Sequence, residues 1–221
     1  MSKLHAGWFH VNVQPPMDLT ASPFPSPEEK RSVRAAKRDA VLRAAVQMFN
    51  ARGFHQTSLD DVAASLGISK PTIYHYLGNK DQVLLECVKI GLGQLIAAAE
   101  DARTRPGTGA DRLCAFLVRY AEINMDDFGR CVIRTGDEAL MPESRERFRE
   151  LKRRIDTDMR TLIIEGIADG SLAPCDPKLA AFTIAGALNW PARWHDPAGS
   201  ESPEELARHM VDMLCRGFQP R

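Results

Sequence analysis

The 221-residue sequence lacks any apolar run near the ~20 residues that cross a bilayer, and its first residues lack the basic-then-apolar order of a secretory signal. Both gaps predict a cytoplasmic protein with no membrane partner. Cysteine is sparse: Cys87, Cys114, Cys131, Cys175 and Cys215 are odd in number and never closer than 17 positions. Neither a zinc knuckle nor a disulfide framework is indicated, and reduced, mostly buried thiols with no metal and no other cofactor are expected. No segment alternates apolar and polar residues as a strand does. Enzyme signatures are missing as well. There is no Gly-x-Ser-x-Gly elbow, no His-Glu-x-x-His and no phosphate loop, and Gly91-Leu92-Gly93 and Gly107-Thr108-Gly109 are incomplete as dinucleotide fingerprints. His55, His75, His195 and His209 stand singly. The acid pairs Asp60-Asp61, Asp126-Asp127 and Asp137-Glu138 are sequence neighbours, so on helices they would diverge by about 100°. No catalytic residue is assigned, and an enzyme is not expected.

Net charge is also absent, at a formal value of zero, but its distribution is uneven. Residues 30–80 hold nine Lys or Arg (30, 31, 34, 37, 38, 43, 52, 70 and 80) against Asp39, Asp60 and Asp61, a local balance of +6 that leaves −6 for the remainder. One lobe therefore attracts phosphate while the other limits indiscriminate adhesion.

Within the basic lobe, residues 57–80 combine a capped helix, a glycine turn and a second short helix. Ser58 with Asp61 three positions on forms a capping box, and Leu59, Val62, Ala63 and Leu66 supply an apolar stripe. Gly67 ends that helix. Ser69 is positioned to cap the next, with Pro71 in its first turn, where a missing amide hydrogen breaks no helical bond. Free amides at this helix start attract phosphate, and first-turn side chains reach base edges in a major groove. Ser58, Ser69, Tyr74 and Lys80 are the candidates for phosphate contact. Lys70, Thr72 and His75 are the candidates for base edges or adjacent backbone, while Ile73 and Leu77 should face inward. Tyr76 is balanced between core packing and DNA.

Residues 37–85 resemble the DNA-binding domain of the TetR family of bacterial transcription regulators. The likeness rests on Ala44 through Phe54, Thr57-Ser58, Val62-Ala63, Gly67 through Lys70, Thr72 through Tyr76, and Asn79-Lys80. Pro71 stands where the family often has glycine, and Leu77 where it usually has phenylalanine. The resemblance implies a homodimer on a palindromic double-stranded operator, a basic arm ending at Arg38 that approaches the duplex, and release by a small-molecule effector held in the C-terminal lobe. It also implies that two terminal helices pair with their symmetry mates as a four-helix bundle. The C-terminal part looks similar to TetR-type regulators that respond to acyl-CoA thioesters.

Periodicity elsewhere predicts an all-α chain. A helix over 35–52 supplies Val41, Ala44, Ala45, Met48 and Phe49 to a three-helix core, and a long helix over 80–103 connects the lobes. Stripes at Leu113, Phe116, Leu117, Tyr120, Ala121 and at Phe148, Leu151, Ile155, Met159, Leu162, Ile163 read as core faces. A shorter helix falls within 127–140. Helices over 176–194 and 203–217 are the dimer candidates, through Ala181, Ala185, Gly186, Ala187 and through Leu206, Met210, Met213, Leu214.

The expected division is an unstructured extension over 1–30, a helix-turn-helix domain over 31–80, and a larger helical domain for effector binding and dimerisation over 81–221. Effector candidates are Phe116, Tyr120, Phe128, Met159, Phe182, Trp190, Arg193 and Trp194. Aromatic and methionine residues at helical spacing also suit plain core, and the Asn189–Trp194 run suits a dimer seam as well as a ligand. A small-molecule-binding enzyme or adaptor without DNA binding is the competing class. It leaves the charge split and the Ser69–Lys80 run unexplained.

Overall fold

The structure is a computed structural model that describes residues 26–216. The expected extension over residues 1–25, with Trp8, Phe9 and Val11, and the final residue of the helix expected to reach 217 lie outside the described residues. Helices alone are found among the described residues. They are α1 (Pro27–Arg52), α2 (Leu59–Ser65), α3 (Lys70–Leu77), α4 (Lys80–Thr104), α5 (Gly109–Met125), α6 (Asp127–Arg134), α7 (Pro142–Ala168), α8 (Pro177–Asn189), α9 (Pro191–Trp194) and α10 (Pro203–Arg216), with a 3-10 turn at Asp137–Ala139.

The chain divides into a short unit, residues 1–36, and a main one, residues 37–221. In the former, the Ser26 hydroxyl accepts from the Glu29 amide at 3.1 Å, a local cap that starts the helix at Pro27. Residues 27–30 are thus helical, which corrects their assignment to an unstructured extension. All that follows concerns residues 37–216.

Caps set most helix starts. Ser58 with Asp61, Asn79 with Gln82 and Thr108 with Asp111 form complete capping boxes at α2, α4 and α5. Ser202 with Glu205 does the same for α10. Gly67 takes φ +63° between α2 and α3, a left-handed value that a Cβ would strain. Leu66 caps the end of α2 and is exposed, so it leaves the stripe expected of it. The expected helix over 176–194 is broken, because Pro191 has no amide hydrogen to continue α8 and instead begins α9.

Val41, Leu42, Ala45, Val46 and Phe49 of α1 join Leu59, Val62, Ala63, Ile73 and Leu77 in the core of the helix-turn-helix. Burial of each is worth about 1.5–3 kcal/mol. α4 is long and apolar enough to cross a membrane by length and composition. Here it is an interior helix, with Val83, Leu84, Cys87, Val88, Leu92 and Ala99 buried against α5, α6 and α7. α4 and α6 approach closely at Gly91, where a Cβ would lie 2.9 Å from the Phe128 carbonyl oxygen. Cys87 and Cys131 are buried, whereas Cys114 is half-buried and Cys175 and Cys215 are exposed, so the thiols are not mostly buried.

Candidate DNA-reading and effector sites

α3 turns Ile73 and Leu77 inward, so its opposite face is left to solvent. That face carries Lys70, Pro71, Tyr74 and His75, all exposed. Tyr74 is half exposed with no partner in the fold, and Tyr76 is half-buried beside the His75 ring. Ser69 sits at the N-cap position, but its hydroxyl pairs with that of Thr72 at 2.7 Å and caps no amide, contrary to the sequence expectation. Pro71 has no amide hydrogen and Thr72 donates to the Ser69 carbonyl at 3.0 Å, so the Lys70 amide is the donor this turn leaves open.

Three of the basic candidates are already engaged. Lys70 Nζ is ion-paired with Asp60, which raises its pKa through the hydrogen bond and the carboxylate charge. Lys80 Nζ lies 4.3 Å from the centre of the Phe54 ring and donates to the His55 carbonyl at 3.4 Å; partial burial lowers its pKa. Arg38 pairs with Glu86 of α4 at 2.7 Å. Ser58 is occupied by its capping box. Thr57, which carried no assigned role, is buried and donates to the Gly53 carbonyl at 3.0 Å, locking the turn between α1 and α2.

The reading helices join the C-terminal helices through α6. Asn50 Nδ2 donates to the Asp127 carbonyl at 2.8 Å, Gln47 Nε2 to the Asp127 carboxylate at 3.0 Å, and Arg134 to the Asn50 carbonyl at 2.9 Å. These three bonds tie the start and end of α6 to the last turns of α1.

Between α4, α5, α7 and α8 lies a cavity of about 330 Å³. Leu92, Leu95, Val132, Ile155 and Met159 supply apolar wall. Its polar end is a triad of buried Tyr120 and Asn124 with half-buried Asn189: Asn189 Oδ1 accepts from the Tyr120 hydroxyl and from Asn124 Nδ2, each at 2.9 Å. Asn124 is fully buried and its Oδ1 has no partner. Leaving such an acceptor unpaired costs about 1–3 kcal/mol. Burial raises the Tyr120 pKa, which keeps the hydroxyl protonated as the donor.

Of the eight effector candidates, Tyr120, Met159 and Phe182 line this cavity. The other five do not. Phe116 and Phe128 are core residues, Trp190 and Trp194 point to solvent at 62% and 51% exposure, and Arg193 donates to the Ile133 carbonyl at 3.2 Å. Asn124 escaped notice because one amide within an apolar helix stripe looks like a solvent-facing position, and Asn189 reads in sequence only as the start of the Asn189–Trp194 run. The sequence signal of Asn124 is polarity four residues after Tyr120, on the same helix face.

The dimer candidates are also redistributed. Ala181 and Leu206 are buried within the chain. The face of α8 left open carries Leu179, Phe182, Thr183, Gly186 and Trp190, which fall within one ~100° arc of the helix. Met213 and Leu214 of α10 are exposed too.

Two family models match this sequence. Residues 41–87 match "Bacterial regulatory proteins, tetR family", and residues 106–218, more than half the chain, match "Tetracyclin repressor-like, C-terminal domain". The chain belongs to the TetR family. It is a DNA-binding transcription regulator, and its helix-turn-helix is the reading element of that family. Among curated relatives of this TetR protein is the HTH-type transcriptional repressor KstR2 of Mycolicibacterium smegmatis, 26% identical over 83% of this chain and 91% of the relative. Another is the regulator RutR of Escherichia coli K12, 30% identical over 68% of this chain and 71% of the relative. The solved structure of PfmR from Thermus thermophilus is 30% identical with a TM-score of 0.75, covering 81% of this chain and 99% of its own. AibR, solved with isovaleryl coenzyme A and operator DNA, shares the fold at 23% identity and a TM-score of 0.71, covering 82% and 100%.

Proposed function

We propose that this TetR protein is a repressor that binds a palindromic operator as a homodimer and releases it when a hydrophobic acyl-CoA thioester fills the cavity between α4, α5, α7 and α8. The functional division is a reading domain over 31–80 and an effector-binding and dimerisation domain over 81–221. The observation that carries the reading is a cavity with apolar wall from Leu92, Leu95, Val132, Ile155 and Met159, whose polar lining is Lys152, Asp156 and the Tyr120, Asn124 and Asn189 cluster, with Asn124 Oδ1 unpaired. A cavity of this size suits an acyl chain. An amide N–H of the pantetheine arm would satisfy the lone acceptor, so the acceptor that costs stability when empty favours ligand. AibR, solved with isovaleryl coenzyme A and operator DNA, supports the same ligand class.

On DNA, Tyr74, Ser69 and the Lys70 amide meet phosphate, while Thr72 and His75 reach base edges. Lys70 and Lys80 join them by exchanging Asp60 and the His55 carbonyl for phosphate oxygens, and Arg38 stays with Glu86. Each mismatch costs only about 1–3 kcal/mol, so one reading head cannot isolate a site and two are needed. The apolar arc of α8, with Met213 and Leu214, is the seam that brings half-sites one turn, roughly 34 Å, or a multiple of it apart. A ligand can shift the equilibrium only by preferring the form that binds DNA less well. The route is α4 and α6, which wall the cavity through Leu92, Leu95 and Val132 and touch the end of α1 through Asp127.

The test is fluorescence anisotropy of the protein on its own upstream DNA, titrated with acyl-CoA esters of graded chain length. Release by the esters together with a matching rise in melting temperature supports the reading. Operator binding indifferent to every ester, with no thermal shift, refutes the ligand class.

A further inference from the structure

α5 and α10 pack along one another and carry two cysteines 101 positions apart in sequence. Cys114, half-buried, and Cys215, exposed, both free thiols, have their sulfurs 2.9 Å apart. A disulfide needs about 2.05 Å, so closure asks for a side-chain rotation of under an ångström. An open groove lined by Val118, Arg208, His209 and Asp212 gives a small solute access to both sulfurs. The other cysteines differ. Cys87 and Cys131 are buried, with burial pushing Cys87 well up and Cys131 to about 11, so neither ionises readily. Cys175 is exposed in the loop between α7 and α8.

We propose that Cys114 and Cys215 form a reversible dithiol-disulfide site, closed by a peroxide, that fastens the C-terminal helix α10 to α5. The Cys215 thiol donates to Cys114 and brings its pKa to about 7, while Cys215 itself is held above its ordinary value. Cys114 is therefore the thiolate and Cys215 the resolving thiol. The Cys114 thiolate attacks one peroxide oxygen; an S–O bond forms, the O–O bond breaks, and the departing hydroxide takes a proton to become water. Cys215 then attacks Cys114 Sγ, forming the S–S bond and expelling the sulfenic oxygen, which leaves as a second water with the Cys215 proton. Two thiols and one hydrogen peroxide yield one disulfide and two waters, the sulfurs supplying the two electrons. An external dithiol reverses the reaction by exchange. Residues two apart on a helix diverge by about 200°, so the link does not cover exposed Met213.

The full chain, reduced and then freed of reductant, is exposed to hydrogen peroxide, alkylated and peptide-mapped without reduction. The expected product is one chain, lighter by two hydrogens, in which the Cys114 and Cys215 peptides are joined and are separated again by dithiothreitol. In Cys215→Ser, which keeps the size of the side chain, Cys114 should instead yield a dimedone adduct of its sulfenic acid. The proposal fails if peroxide leaves Cys114 and Cys215 open to alkylation while Cys175 is oxidised. It fails equally if the link that forms is between chains. The wild-type map decides the matter even if the serine variant does not fold.

Discussion

The side-chain amide of Asn50, near the end of α1, donates to the backbone carbonyl of Asp127, the first residue of α6, at 2.8 Å. With the Gln47 and Arg134 bonds it joins α1 to α6, whose Val132 lines the cavity between α4, α5, α7 and α8. Asn50→Ala should cost about 1 kcal/mol in stability, the usual worth of a single hydrogen bond. It should leave operator affinity in the absence of ligand nearly unchanged, but reduce how far a saturating acyl-CoA ester weakens that affinity. Coupling between sites is typically about 1–3 kcal/mol, so the loss is readable by titration. Undiminished release would remove α6 from the route.

Tyr74 is half exposed on the free face of α3, and its ring supports nothing in the fold. Tyr74→Ala should weaken operator binding about tenfold or more, equivalent to about 1.4 kcal/mol. Helicity and dimerisation should stay intact, because exposed substitutions change stability by only about 0.5 kcal/mol. Lys80→Ala should also weaken binding, with a small thermal penalty from the lost Phe54 contact. Anisotropy at fixed salt, paired with thermal melts, separates the two effects.

The lone Asn124 Oδ1 makes a sharper forecast for the cavity. Asn124→Leu removes an unpaired buried acceptor and, with it, the Asn124 Nδ2 bond to Asn189, while leaving the Tyr120 to Asn189 bond in place. The variant should lie within about 1 kcal/mol of the parent, since losing one hydrogen bond, worth about 0.5–1.5 kcal/mol, is offset by removing an unsatisfied polar group. Its thermal shift with acyl-CoA ester should vanish, and it should hold the operator in the presence of ligand. A destabilised variant that still responds to ligand would contradict the role given to Asn124.

Phe182 and Trp190 lie on the open arc of α8 at 55% and 62% exposure. Trp190→Glu should produce folded monomers, because a carboxylate buried on each side of a two-fold seam repels its mate. Sedimentation velocity reads the change. Affinity for a two-half-site probe should fall to that of a single half-site.

Acid should act on the tie between Arg38 and Glu86. Burial alone would raise the Glu86 carboxyl, but hydrogen bonds from Arg38 and Lys89 outweigh it and hold the group below its ordinary value. A depressed carboxylate stabilises the fold above its unfolded pKa, ~4.3, and loses that contribution as pH falls through the lower folded value. Glu86→Gln should therefore cost up to about 1 kcal/mol at neutral pH, a modest sum because both side chains meet solvent. The gap to the parent should close in acid. Urea melts across pH check the sign.

The fold was legible in sequence because its signals are local. The Ser58 capping box and the stripes of α5 and α7 are set by neighbours three or four residues away, and they stand as read. Failures came where distant parts meet. Lys70 looked free, yet Asp60 from the preceding helix neutralises it. Ala181 looked like a dimer contact, yet it packs inward, and the open arc of α8 is rotated toward Leu179 and Trp190. Cys114 and Cys215 looked unrelated because only packing of α10 on α5 brings them together. Tyr120, Asn124 and Asn189 became a polar triad only once α5 and α8 were adjacent, since sequence spacing fixes which side of a helix a residue occupies but not what faces it.

Stoichiometry and affinity of the wild type and Tyr74→Ala on DNA upstream of the protein's own coding sequence test DNA reading by α3 most directly. Two protomers per bound site, affinity that falls steeply with salt, and a loss of about tenfold or more on removing the Tyr74 ring are expected. Binding by one protomer, or equal affinity for the variant at moderate salt, would contradict this reading.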